Sequence, residues 1–174
     1  MSDWTGTGVR VVAAPGSIKE ILEWVRTTLR DADSLSYIAD EDIFITPDED
    51  LVPVSCAFPA IGVKDGPIEM TLDASGQGSG LLWEVRYRIH LIAYVDMTAG
   101  ETPVIGQASP AIKGALDIND DIRAVLHENY SSLFTGIIDA RFIDEGESEV
   151  IGSNEMIVLK KRMTIEYWAL ESIS

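Results

Sequence analysis

One cysteine, two histidines and thirteen lysines and arginines are the scarce chemistry of this 174-residue chain. Cys56 has no intrachain partner, so the fold is not expected to depend on a disulfide or an oxidising compartment. Set in the apolar run VPVSCAFPAIGV, it reads as a small buried hydrophobe rather than a nucleophile. His90 and His127 have no cysteine or histidine at ligand spacing, which argues against zinc. Thirteen cations against 29 acids leave a net charge of −16. Such a chain lacks the positive charge needed to hold nucleic acid non-specifically or to dock on an anionic membrane. Simple solubility and a surface that repels polyanions both fit this balance. No stretch approaches the ~20 apolar residues of a membrane span. The most apolar one, 81–95, is interrupted by Glu84, Arg86, Arg88 and His90. The first sixteen residues show no basic start followed by an apolar core, so no signal peptide is expected and the chain reads as cytosolic where it is made.

Motifs of catalysis are equally sparse. Gly76-Gln77-Gly78-Ser79-Gly80 has the composition of a phosphate loop, but it leads into a strand pattern rather than a helix start. The pairs Asp31/Asp33, Asp40/Asp42 and Asp48/Asp50 lack the glycine and terminal glutamate of a calcium loop and read as solvated acids. No nucleophile elbow surrounds any serine. An enzyme, a metal or a cofactor is therefore not expected.

What the chain does have is LLWEVRYRIHLIAYVD, residues 81–96. Trp83, Val85, Tyr87, Ile89, Leu91, Ala93 and Val95 share one side at period two, where a helix would scatter them. The run spans roughly 50 Å, far beyond the usual ~5–6 residues of a strand. Such a strand bends or pairs with something outside its own domain. A second alternating run occupies 155–170, aligning Ile157, Leu159, Met163, Ile165, Tyr167 and Ala169.

The remaining elements follow in order. Residues 1–16 read as an extended arm with a short strand at 9–12, and Trp4 needs a surface in its own core or a neighbour's. Ser17 and Glu20 form a capping box for a first helix reaching Asp31 or Asp33, with Ile18, Ile21, Leu22, Val25 and Leu29 as its stripe and Trp24 flanking it. Strands are expected at 42–46 and 51–57, separated by a turn at 47–50. Pro53 and Pro59 favour edges or bulges. A hairpin is expected over 61–73, turning at Asp65-Gly66. Linker composition fills 74–80 and a loop 97–107. Ser109-Pro110 is expected to open a second helix ending near Asn129, with Ile112, Ala115, Leu116, Ile122, Val125 and Leu126 at its spacing and Asp117, Asp120 and Asp121 outward. A strand at 136–144 should carry Ile138, Ala140 and Phe142 on one face, and EGESEVIGSN should turn the chain. The sum is one α+β domain, two helices on a mostly antiparallel sheet with long strands and an extra β-hairpin.

Both long strands carry mixed charge opposite their apolar faces: Glu84, Arg86, Arg88 and His90 on one, Lys160, Arg162 and Glu166 on the other. Salt links inside one sheet and contacts between subunits both remain open. Trp4, Arg86, Arg88, Lys160 and Arg162 are thus candidate interface residues. Thr98, Glu101, Val104 and Ile105 in the 97–107 loop are candidate partner-docking residues, because loops beside rigid elements commonly bind.

A capped N-terminal helix, the strand WEVRYRIHLIAYVD, the helix SPAIKGALDINDDIRAVLHEN and a glycine-started strand pair ending MTIEYW together resemble the tail terminator (tail completion) proteins of long-tailed bacteriophages, and the related minor tail and neck proteins, over about residues 17–170. The resemblance implies a non-catalytic subunit of a sixfold homo-oligomeric ring. That ring caps the head-proximal end of the tail tube and meets the head connector, in a virion assembled in the host cytoplasm. DNA would pass as a repelled cargo, with Asp117, Asp120 and Asp121 or Asp48, Glu49 and Asp50 facing the channel. Residues 40–80 look longer than a minimal member needs. The different-class alternative is a small cytosolic ligand-binding or enzymatic α+β domain.

Overall fold

The computed structural model describes residues 3–4, 10–11, 18–73, 82–97, 100–133, 137–153 and 156–172. Its frame is a five-stranded sheet in the order β3-β4-β5-β9-β8: β3 is Ile43–Ile45, β4 Ala60–Asp73, β5 Leu82–Asp96, β8 Ile137–Ser153 and β9 Met156–Ser172. Only β3 runs parallel, against Ile61 to Val63 of β4. The protein is α+β with a mostly antiparallel sheet, as its hydrophobic periodicities predict.

Strand β5 runs unbroken beside β9, from Leu82 opposite Ser172 to Asp96 opposite Val158, and beside β4 on its other edge. Both long alternating runs are therefore interior strands with both edges paired inside the sheet. Of the two expectations their length raised, bending or pairing outside the domain, their backbones do not meet the second. The odd-numbered face of β5 contributes Val85, Ile89, Leu91 and Ala93, all fully buried, to the main core that α1 (Ile18–Arg30) shares. Helix α1 contributes Ile21, Val25 and Leu29, also fully buried, with Ile18, Leu22 and Trp24 at the margin. Each such burial contributes about 1.5–3 kcal/mol. Ser17, the expected cap, lies outside the described residues. Arg30 closes the helix by donating Nε and Nη2 to the Ile43 carbonyl of β3, at 3.1 and 2.6 Å.

Several local expectations are corrected. Asp65-Gly66 is not a hairpin turn. The strand runs through it with a bulge, two residues (Gly66 and Pro67) facing one across the register break between Asp65 and Ile68. A Cβ on Gly66 would stand 3.0 Å from both Arg88 Cβ and the Arg88 carbonyl, so glycine is there for close strand approach. Residues 51–57 form no strand. Pro53 and Pro59 offer no N–H, Cys56 N–H turns back to the Pro53 carbonyl at 3.0 Å, and buried Asp42 accepts the Ala57 N–H at 2.9 Å. The segment instead covers the outer sheet face, where Val52 packs with Ala60, Ile92, Tyr94 and Val158.

The chain does not turn over 145–153 of EGESEVIGSN, because β8 continues to Ser153. Two of its three acids are matched by cations on β9, Glu149 to Lys160 at 3.0 Å and Glu145 to Lys161 at 3.6 Å, which stabilise a polar segment as a strand. Bulges in β8 put Ile137, Ala140 and Phe142 on the core and leave Ile138 exposed, against the expected alignment. Ile157, expected on the β9 stripe, is likewise exposed. The expected arm contains two strands, β1 (Asp3–Trp4) antiparallel to β2 (Arg10–Val11). The Trp4 side chain and the 74–80 linker fall outside the described residues.

The second long helix, α3 (Ala115–Leu133), starts later and ends later than expected. Ser109-Pro110 instead turns a small hairpin, β6 (Gln107–Ala108) with β7 (Ala111–Ile112), so Ile112 is not helical. Gly114 opens α3: the Ile118 N–H bonds its carbonyl at 3.1 Å, and Asp117 Oδ2 accepts its N–H at 3.0 Å. Ala115, Ile118, Ile122 and Leu126 are fully buried, whereas Leu116 is exposed.

Candidate functional site

Two regions gather polar and apolar groups outside the core. The first is built by residues 100–114. The expected plain loop contains a one-turn helix, α2 (Thr102–Ile105), with Glu101 just before it, followed by the β6–β7 hairpin. Val104 packs on the core while Ile105 is exposed, and Thr98 lies outside the described residues. Together with Tyr37, Phe58, Pro59 and Val95, this segment walls an apolar groove of about 400 Å³ that includes Pro103 and Ile112. At its rim Asp121 Oδ2 accepts both the Tyr37 hydroxyl and Lys113 Nζ, each at 2.9 Å, and the ammonium sits 5.5 Å over the Tyr37 ring. Burial, then the Asp121 hydrogen bond, pushes the Tyr37 hydroxyl far above the usual phenol range. It is therefore a neutral donor throughout the working range of pH. Asp117 is spent on the α3 start and Asp121 on this rim, while Asp120 pairs with Arg123 at 2.9 Å. The three aspartates expected to act as one outward cluster thus have three local roles.

The second region is the outer face of the sheet. Lys160, whose side chain is only 6 % exposed, reaches Asp50 at 2.5 Å, Glu149 at 3.0 Å and Glu49 at 3.4 Å. Burial opposes its charge, but the Asp50 and Glu149 hydrogen bonds and the Glu49 field outweigh burial and hold it above the usual lysine range. Arg162 adds Glu49 at 3.4 Å and Asp144 at 3.9 Å. Asp48 Oδ1 accepts the Asp50 N–H at 2.9 Å and shapes the turn. Candidate interface cations and candidate channel acids, separate in the sequence, are here one network fastening the 47–50 turn to β9.

Further along the same face, Arg88 bridges Glu166 at 2.8 Å and Glu69 at 2.9 Å, and Arg86 pairs with Glu84 at 2.7 Å. Trp168 lies between Arg86 and Arg141, whose guanidinium carbons stand 4.2 and 4.6 Å from its ring centre. The reading of salt links within one sheet thus has a specific partner for each cation. Trp168 and Glu69 escaped the sequence reading. The period-two spacing of Glu166 and Trp168 was the available signal for Trp168, and Glu69, on another strand, had none.

His90 sits between these networks, its Nδ1 2.9 Å from Thr164 Oγ1. Burial, then the charges of Arg162 and Lys64, lower its pKa below the ordinary 6.5, with Glu49 and Asp144 opposing. A histidine whose folded pKa is depressed binds its proton less readily folded than unfolded. Its contribution is complete above the unfolded pKa and is lost as pH falls through the folded value. The thermal midpoint should therefore drop between pH 7 and pH 5, and His90→Gln should drop less over that interval. Equal drops in both proteins would remove His90 as the sensor.

The Cys56 thiol, half-buried, is pushed up to about 12 by burial and then by Asp42, so it is a neutral thiol near pH 7. Among the described residues no group of three or more acids, histidines or cysteines is placed to hold a metal ion. No helix there is long and apolar enough to cross a membrane. Compared with known proteins, the chain matches no family model, and no curated protein matches it at a significant level.

Proposed function

We propose that the chain is a ring-forming structural subunit of a bacteriophage tail, the terminator or a neighbouring neck protein, which caps the tube and meets the head connector. The observation that carries this reading is a sheet too long for its own core. Strands β5, β8 and β9 have 15, 17 and 17 residues, whereas the covering helices α1 and α3 have 13 and 19 at a much shorter rise per residue. Apolar side chains consequently stay exposed at opposite ends: Ile68, Met70 and Leu72 at one, Val150 and Ile157 at the other. A subunit clasped between neighbours needs such ends. The element order also follows the terminator pattern, from an N-terminal helix through the long strand to a helix and a terminal strand pair. A net charge of −16 suits a passage that DNA must cross without adhering.

Purified chain should form a closed oligomer by mass photometry and, added to assembling tail tubes, should sit at one end and limit their length. A species of one chain's mass at micromolar concentration, or tubes of unchanged length, would defeat the proposal. The second reading, a small ligand-binding domain, draws on the apolar groove between Tyr37, Phe58 and Ile112. It requires a monomer in which a small molecule shifts the resonances of those residues.

A further inference from the structure

Among the described residues the sheet leaves three backbone edges unpaired: the outer side of β3, the side of β4 beyond Val63, and the whole of β8. An open edge is a template for another strand, and proteins blunt the edges they do not use. Strand β3 is blunted by Arg30, whose guanidinium occupies the Ile43 carbonyl. Strand β8 is broken by three register shifts and carries Asp139, Asp144, Glu145, Glu147 and Glu149 against Arg141 alone between 139 and 150.

Strand β4 differs after its bulge. Its register with β5 is regular from Ile68 to Asp73, so this edge is straight where the β8 edge is not. Ile68, Met70 and Leu72 stand opposite Tyr87, Val85 and Trp83 on the helix-bearing face, yet are 46 %, 56 % and 42 % exposed. The one charge between Pro67 and Leu72 is Glu69, and Arg88 holds its carboxylate at 2.9 Å.

Charge decides which partner suits this edge. Two copies of a −16 chain repel wherever their acidic surfaces approach within about a Debye length, ~8 Å at physiological salt. They meet most readily where the local charge is already cancelled and apolar surface can leave water. We infer that residues 67–72 of β4 form the surface by which one copy of this chain joins the next, through the strand edge and the Ile68, Met70 and Leu72 row. The inference rests on the ring reading for closure of the assembly. It replaces the guanidinium and ammonium groups of the outer face as the adhesive element.

The test is the double variant Met70→Lys with Leu72→Lys, both at exposed positions, checked for folding by circular dichroism and thermal midpoint. A control, Ile143→Lys with Val150→Lys, makes the same charge change at exposed positions of β8. Wild type should be oligomeric at ~10 µM, a stated concentration being essential because assembly follows mass action. The β4 variant should remain folded and dissociate at concentrations at least ~100-fold higher than wild type, while Met70→Leu and the β8 control assemble normally. An equally oligomeric β4 variant would overturn the β4 surface and leave the ring reading standing, as would dissociation confined to the β8 variant. A monomeric wild type would overturn the ring reading, and the β4 inference with it.

Discussion

Gly114→Ala is expected to lower stability by about 3 kcal/mol or more, the scale of backbone overpacking with no relaxation available. A Cβ there would lie 2.3 Å from the Gly106 nitrogen and 2.6 Å from the Val104 carbonyl oxygen. Both are backbone atoms, one in α2 and one at the Gly106 cap that ends it, so no side chain can swing away. Gly106→Ala should be comparably severe for two reasons. Its φ is +73°, and its Cβ would meet Asp117 Oδ2 at 2.2 Å and the Ile112 carbonyl at 2.6 Å. The two glycines interlock α2, the β6–β7 hairpin and the α3 start into one unit, and Asp117 touches both of them. Gly100 is the internal control. Its φ is +94°, but among the described residues beyond its chain neighbours nothing lies within 4 Å of its would-be Cβ, so alanine there costs only about 1–2 kcal/mol of conformational strain. Urea titration separates the cases through shifted midpoints at unchanged slope. Should Gly114→Ala melt with Gly100→Ala, the 101–114 unit is not packed this way. Loss of the unit would also remove Pro103 and Ile112 from the groove, so that groove can bind only as well as this glycine contact holds.

How much of this was legible in the chain depends on how far apart the deciding residues lie. Helix α1 and strands β5 and β9 were readable because each carries its own period: Ile21, Val25 and Leu29 at helical spacing, Val85 through Val95 at two. The second half of strand β8 was not, since 145–153 has the composition of a loop, whereas its first half was expected as the strand at 136–144. Glu145 and Glu149 become strand residues through Lys160 and Lys161 on another strand. Asp65-Gly66 carries turn chemistry that the Arg88 backbone beside it overrules, and Ser109-Pro110, which carries the chemistry of a helix start, turns a hairpin instead. The outer-face network shows the same limit. Lys160 and Asp50 are 110 positions apart, and no local pattern announces that the candidate cations and acids neutralise each other. Likewise the groove needs Tyr37, Phe58 and Ile112, which come from three unrelated segments. Local periodicity carries the scaffold, and long-range charge pairing decides which polar stretches join it.

Arg88→Met should be the most costly change on the outer face, at about 3–5 kcal/mol, the scale for stripping one partner from a buried ion pair. Glu166 is 3 % exposed, and its two carboxylate oxygens are divided between Arg88 Nε at 2.8 Å and Trp168 Nε1 at 2.5 Å. Without Arg88 the first oxygen keeps its charge and loses its compensation. Glu69, half exposed, needs no replacement because water can solvate it. The double change Arg88→Met with Glu166→Met should recover most of the loss, since it removes the desolvated charge together with its partner, although Trp168 Nε1 then seeks water. The coupling should persist at high salt, unlike that of an exposed pair such as Lys19 with Glu23. The same variants separate the two readings of these cations. If Arg88 and Arg86 act within the sheet, Arg88→Met lowers the unfolding midpoint, and assembly weakens only as far as folding does. If they join subunits, Arg88→Met keeps its midpoint and loses the oligomer. The depth of Glu166, tied to a guanidinium that is itself only 28 % exposed, favours the first outcome.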